Sequence, residues 1–348
     1  MKTTNAYIRI GLLLVAAAFT AASARADTYS WTNFQSDIAG VAQHVDPNLV
    51  NPWGMSVSPG GTIWVSDNGT GVSTLYHQDG TAVSLVVTIP TAARNRDVGN
   101  PTGQVFNGTD FFQVTKNGIS GPARFIFVSE DGSISGWNPT VDPTNAIIAV
   151  DNGTNRGVNR AIYKGATLGE ANDHNFLYVT DFHNGKVATF DENFQQVNPN
   201  GFTDPNLPAG YGPFGIRNFN GEIFVTYAKQ DPKKEDDVAG PGFGFVNVFD
   251  TSGNFLRRLI SNGNLNAPWG LAVVDGELWV GNFGDGLINV YDPTTPETFI
   301  ETLMRADGTP LQFDGLWDLL PQDAGVFFTA GIADEEHGLF GIITEDQP

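Results

Sequence analysis

Apolar and alternating residues fall into short runs of strand length, separated by turns rich in glycine, aspartate and asparagine, and the runs repeat. Asn51-Pro-Trp-Gly-Met-Ser-Val-Ser followed by Thr62-Ile-Trp-Val-Ser-Asp-Asn returns as Ala267-Pro-Trp-Gly-Leu-Ala-Val-Val followed by Glu277-Leu-Trp-Val-Gly-Asn-Phe. Weaker copies lie between and after: Asn100-Pro-Thr-Gly with Phe125-Ile-Phe-Val-Ser-Glu, Phe176-Leu-Tyr-Val-Thr-Asp, Gly212-Pro-Phe-Gly with Glu222-Ile-Phe-Val-Thr-Tyr, and Phe313-Asp-Gly-Leu-Trp with Val326-Phe-Phe-Thr-Ala-Gly. Each second run ends in a turn such as Asp67-Asn-Gly or His183-Asn-Gly and leads into a third run such as Lys186-Val-Ala-Thr-Phe-Asp, the pattern of a four-stranded unit recurring at propeller spacing. The predicted fold is all-β, a six-bladed β-propeller. The last unit, ending in His337–Thr344, lacks a fourth strand. Thr28–Phe34 alternates like one, so it is expected to close the ring as the outer strand of blade six and leave no long open edge, which makes a monomer the expectation.

Composition agrees with that pattern. The 348 residues include 41 glycines, 20 prolines and 25 phenylalanines, and only 16% are charged, which suits many short strands and tight turns. Lys2 and Arg9, the apolar run Ile10–Ala22 and Ala24-Arg25-Ala26 read as a secretory signal peptide over 1–26, leaving 27–348 as a single propeller domain that is periplasmic or secreted. The run is shorter than a membrane span, and nothing later is longer. No cysteine occurs, which excludes disulfides, thiol catalysis and thiolate metal sites. A net charge of -20 repels phosphate backbones and anionic headgroups, arguing against nucleic acid and membrane surfaces and for solubility, cations or cationic partners.

In a propeller the second-to-third-strand turns and the inner-strand entries share one face around the channel mouth. That face collects Trp53, Asp67, Glu130, Asp181, His183, Tyr227, Asn282, Asp314, Trp317 and Glu335, with Asn51, Asn68 and Trp269 beside them; the opposite face has no comparable set. Asp and Asn also serve as ordinary turn residues, and Trp53 and Trp269 as packing between blades. One segment breaks the repeat: Tyr227–Phe243, a long charged turn in blade four that carries Lys229, Asp236 and Asp237. Long loops on rigid scaffolds often carry function. Asp181, His183, Asp314 and Glu335 are the candidate metal ligands, and calcium held by oxygen donors is compatible with the composition. With only five histidines, a three-histidine zinc site is not expected. No nucleophile elbow, P-loop, HExxH or EF-hand loop appears.

The strings Val225-Thr-Tyr-Ala-Lys-Gln-Asp231, Asp236-Asp-Val-Ala-Gly-Pro-Gly242, Ala267-Pro-Trp-Gly-Leu271, Val280-Gly-Asn-Phe-Gly-Asp-Gly286 and Asp314-Gly-Leu-Trp317 resemble an uncharacterised family of exported bacterial proteins related to NHL-repeat propellers. That resemblance implies a fold and no reaction. The outline is also similar to six-bladed calcium lactonases, which place acidic or amide ligands just before the glycine of several inner strands. Here Trp53, Thr102, Phe214, Trp269 and Asp314 are read at those positions, one carboxylate among five, which departs from the lactonase pattern. The expected role is a binding module for a small molecule or an extracytoplasmic protein segment at the mouth, with a calcium ion as the candidate cofactor. The alternative is a metal-assisted hydrolase or lyase acting on a small ester, lactone or sugar acid.

Overall fold

A computed structural model describes residues 27–92, 97–153, 160–198 and 200–346; the expected signal peptide, 1–26, lies outside them. No helix among the described residues is long and apolar enough to cross a membrane.

The described chain is all-β. Six antiparallel sheets follow one another, and each innermost strand packs against that of the next blade until the sixth meets the first. Blade one runs Pro52–Val57, Ile63–Asp67, Val72–Tyr76 and Val87–Thr88, and blade five repeats it with Pro268–Val274, Glu277–Asn282, Ile288–Tyr291 and Phe299–Thr302. Blade six takes three strands from the end of the chain, Leu316–Gln322, Gly325–Ala330 and Leu339–Glu345. Its fourth strand is Tyr29–Ser36, antiparallel to Leu339–Glu345 with Trp31 opposite Ile343, and the short His44–Val45 pairs parallel outside it. The expected closure is therefore present. Blade two alone carries an extra hairpin, Gln113–Lys116 with Ile119–Pro122.

Second strands are buried along most of their length, as in Ile63–Asp67, Phe125–Ser129 and Gly325–Ala330. Their side chains fill the layers between blades. Asp67, placed at the mouth by its sequence position, belongs to this packing: it is fully buried and its Oδ2 accepts the backbone N–H of Thr74 at 2.9 Å. Burial pushes its carboxyl well above the usual carboxylate range.

All six inner strands share one device. The register slips at Trp53-Gly54, Thr102-Gly103, Lys164, Phe214-Gly215, Trp269 and Trp317-Asp318, so each inner strand carries a bulge at the same level. A bulge re-aims a side chain, and these lie next to the axis. The glycines beside them are required by close approach: a Cβ on Gly215 would lie 2.0 Å from the Trp269 carbonyl oxygen, and one on Gly270 2.5 Å from that of Trp317. This register corrects the sequence reading of blade six. The residue equivalent to Trp53 and Trp269 is Trp317, with Asp318 in the glycine place, and Asp314 lies before the strand. The third-blade equivalent is Lys164.

Candidate functional site

The bulges bring Trp53, Phe214, Trp269 and Trp317 together into an aromatic plug across the axis. Trp53 and Trp317 stack with ring centroids 3.4 Å apart, and Trp269 meets both edge-on at 6.0 and 5.9 Å. Phe283 covers Trp317 on its other side at 4.1 Å. The four core rings are almost fully buried, so they form the floor of the mouth and not an open stacking surface. Below them the axis narrows to a cavity of about 10 Å3, room for about one water.

Above the floor lies a charged cluster built around a residue the sequence reading missed. Lys164 is 2% exposed. Its Nζ donates to Glu130 Oε1 at 2.5 Å, reaches Asp236 Oδ1 at 3.4 Å, and lies 5.1 Å from the Trp53 ring centroid. Burial opposes its charge, but the Glu130 and Asp236 carboxylates outweigh burial and push the ammonium above the usual lysine value. Glu130 is fixed from its other side by Asn68 Nδ2 at 3.0 Å. Asn51 links plug to rim: its Oδ1 accepts Trp317 Nε1–H at 2.9 Å and its Nδ2 donates to Glu335 Oε2 at 2.6 Å. Asn51 and Glu335 both hold positive φ, 46° and 65°, backbone conformations that cost energy in a non-glycine residue and persist where surroundings enforce them.

The long blade-four turn folds across this cluster. Arg160 pairs with Glu235, His183 Nδ1 lies 3.2 Å from the Lys234 carbonyl oxygen, and Gly240 N–H donates to Asn266 Oδ1 at 2.6 Å. The turn is thus tied to blades three and five. It delivers Asp236 to Lys164 and buries most of Asp237, whose carboxyl is pushed up to about 7 by desolvation, opposed by Lys164 and reinforced by Glu335 and Asp236. Desolvation likewise raises Glu335, opposed by its Asn51 hydrogen bond.

Of the sequence-predicted residues, Trp53, Glu130, Asp236, Asp237, Trp269, Trp317 and Glu335 come together here. Others have local roles. Asp181 caps its turn by accepting Asn184 Nδ2 at 2.8 Å, and Asn282 does so by donating to Asp285 Oδ1 at 3.1 Å. Tyr227 is buried within blade four's packing, Lys229 lies over Phe243 at 3.8 Å at the base of the turn, and exposed Asp314 accepts the Ala333 N–H at 2.8 Å. The four candidate metal ligands Asp181, His183, Asp314 and Glu335 therefore each serve a separate neighbour, and no group of three or more His, Asp or Glu side chains converges as a metal shell among the described residues. At the level where calcium lactonases carry their ligands this chain has Trp53, Thr102, Lys164, Phe214, Trp269 and Trp317, without a carboxylate.

Asp237 supplies a pH test. A carboxyl that titrates near 7 when folded and near 3.8 when unfolded binds its proton more tightly in the native state, so stability falls as pH rises through that window. Asp67, Asp181, Asp318 and Glu335 are raised by burial too and act in the same direction. Thermal unfolding from pH 4 to 7 is expected to show a falling melting temperature, with a shallower slope in Asp237→Asn. An unchanged slope in that variant would show that Asp237 does not titrate in this range.

Fold and mouth together define a six-bladed propeller with a plugged, acid-rimmed channel. By sequence the chain belongs to the family of two mimivirus proteins from Acanthamoeba polyphaga mimivirus, "Uncharacterized protein R648" (32% identical over 321 residues, 88% of this chain and 78% of that protein) and "Uncharacterized protein L690" (31% over 322 residues, 88% and 83%). No family model matches. These relatives give no support to the expected family of exported bacterial proteins. Among solved structures, a protein of unknown function from Bacteroides thetaiotaomicron aligns with TM-score 0.57 and 13% identity over 91% of this chain and 76% of that one. Virginiamycin B lyase from Staphylococcus aureus aligns at 0.53 and 16% over 91% and 99%, and a gluconolactonase from Xanthomonas campestris at 0.51 and 13% over 85% and 87%. At such identities the likeness extends to the fold alone, because propellers host unrelated functions.

Proposed function

We propose that the channel mouth binds a small organic cation, closed over by the 227–243 turn. The observation that carries this reading is the gathering of carboxyls about Lys164: Glu130 and Asp236 reach its ammonium, and Asp237 and Glu335 lie close enough to interact with it and with each other. Among the described residues these carboxyls outnumber the ammonium, and partial burial strengthens their attraction for a positive ligand relative to bulk water. Amine N–H donors would find carboxylate acceptors, and Asn51 and Asn68 hold two of those carboxylates in place.

A second reading is favoured by one feature. A carboxyl titrating near 7 beside a lysine held protonated is a proton-transfer pair, which supports turnover of a small ester, lactone or sugar acid at the same mouth. Calcium is the inorganic competitor for the excess charge. With residues 1–26 removed as a signal peptide, the propeller would act outside the cytoplasm, and N-terminal sequencing of the mature protein should then begin at Asp27.

Calorimetry with 1,5-diaminopentane, calcium chloride and glucose separates these possibilities. The diamine should bind, weaken as salt rises, and lose about tenfold affinity in Glu335→Gln, about 1.4 kcal/mol. Glucose binding without diamine binding would overturn the cationic reading, and calcium binding that excludes the diamine would replace it with a metal site.

A further inference from the structure

The channel has a second mouth, at the turns between first and second strands, and it is built differently. An opening of about 510 Å3 is walled by Val57, Val105, Phe106, Leu168 and Leu320, with Ser56, Gln104, Thr167 and Asn218 interspersed and Arg217 at its inner end. A hollow of that volume lies within the range of small-molecule sites, and its wall mixes apolar side chains with polar groups able to orient a ligand. Arg217 lies on the inner strand of blade four and also borders the narrow cavity below the plug.

Among the described residues Arg217 is held by one corner. Its Nη2 donates to Asp318 Oδ1 at 2.5 Å and, weakly, to Leu319 O at 3.5 Å. Asp318 is the residue standing where the other blades have glycine, and its carboxylate also accepts the backbone N–H of Met55 at 2.7 Å and of Leu319 at 2.8 Å. Asp318 is thereby well satisfied and nearly fully buried, while the Arg217 side chain is 25% exposed, and its Nε and Nη1 donate to no group among the described residues. A guanidinium fixed on one side and open on the other matches the planar fork of a carboxylate. The neighbouring amides are committed: Gln104 Nε2 to Gly54 O and Asn218 Nδ2 to Leu168 O. Among the described residues that line the opening, Arg217 is therefore the one charged donor.

We propose that this opposite mouth is a second binding site, taking a small carboxylate with an apolar body, its carboxylate on Arg217 and its body against Val57, Val105 and Leu320. The site is distinct from the acidic mouth: the aromatic plug separates them, and the ligand charge is reversed. In a chain of net charge -20 long-range repulsion works against an anion, so binding here depends on direct contact with the guanidinium.

Benzoate, benzamide and benzylamine are the probes, followed by methyl NMR and calorimetry. Benzoate is expected to shift the methyl signals of Val57, Val105 and Leu320 and to bind about tenfold more tightly than benzamide, with benzylamine failing to compete for those methyls. Arg217→Gln should reduce benzoate affinity at least tenfold. Because that change also disturbs Asp318, Asn220→Asp at the exposed rim serves as a second variant; Asn220 already has φ of 53°, which aspartate tolerates, and the added charge should weaken benzoate and leave benzamide unchanged. Equal affinity for benzoate and benzamide, or methyl shifts confined to other residues, would overturn the proposal.

Discussion

Lys164→Met is expected to destabilise the protein by about 3–5 kcal/mol at pH 7.5, the usual cost of removing one partner from a buried ion pair. Methionine keeps most of the alkyl volume beside Trp53, so the loss would be electrostatic. Glu130 would retain Asn68 as a partner but lose the Lys164 ammonium, and Asp236, Asp237 and Glu335 would lose the charge that Lys164 sets against theirs. Acidification protonates Asp237 and Glu335, whose carboxyls burial has raised, so the deficit should shrink at pH 5. Urea denaturation at the two pH values checks this. An equal deficit at both would mean that the lysine matters for packing and that the charged cluster is incidental.

The second large effect belongs to the plug. Trp317→Ala removes a side chain that is 1% exposed, stacks on Trp53 and Phe283 and donates to Asn51; about 3–5 kcal/mol is the usual range for emptying such a site. The loss should extend to ligand binding at the acidic mouth, because Asn51 would no longer be held in the orientation that presents Nδ2 to Glu335. Trp317→Phe keeps a stacked ring and deletes only the N–H, so it should cost less stability while still loosening Glu335. Denaturation and calorimetry on both variants measure the two effects. If Trp317→Phe binds the diamine as the parent does, the Trp317-Asn51-Glu335 relay has no part in recognition.

What could be read from the sequence follows from how directly each feature is written there. Six second strands are near-continuous apolar runs such as Ile63–Asp67 and Phe125–Ser129, and buried strands of that kind announce themselves. The closing strand showed because Thr28–Phe34 alternates. Turn chemistry and site chemistry use the same residue types, so the sequence gathered Asp181, Asn282 and Asp314 with the mouth residues, and they proved to be turn caps or loop contacts. Lys164 was missed because blade three has Tyr163 where blades one and five have proline. Aligning Tyr163-Lys-Gly-Ala against Pro52-Trp-Gly-Met and Pro268-Trp-Gly-Leu would have placed a lysine among the axial aromatics. The Arg217–Asp318 pair left no such trace, since it depends on two inner strands meeting across the axis from blades four and six.

The strand exchange in blade six also bears on how the molecule reaches its folded state. Five blades are assembled from neighbouring stretches of chain, whereas Thr28 Oγ1 bonds Asp346 across 318 residues and Trp31 pairs with Ile343. Contacts of such sequence separation form late and slowly, because the entropy of closing the loop must be spent before they are made. The native circle is therefore completed by one long-range event at the seam, and until it occurs the two edges beside it remain open to pairing with another chain.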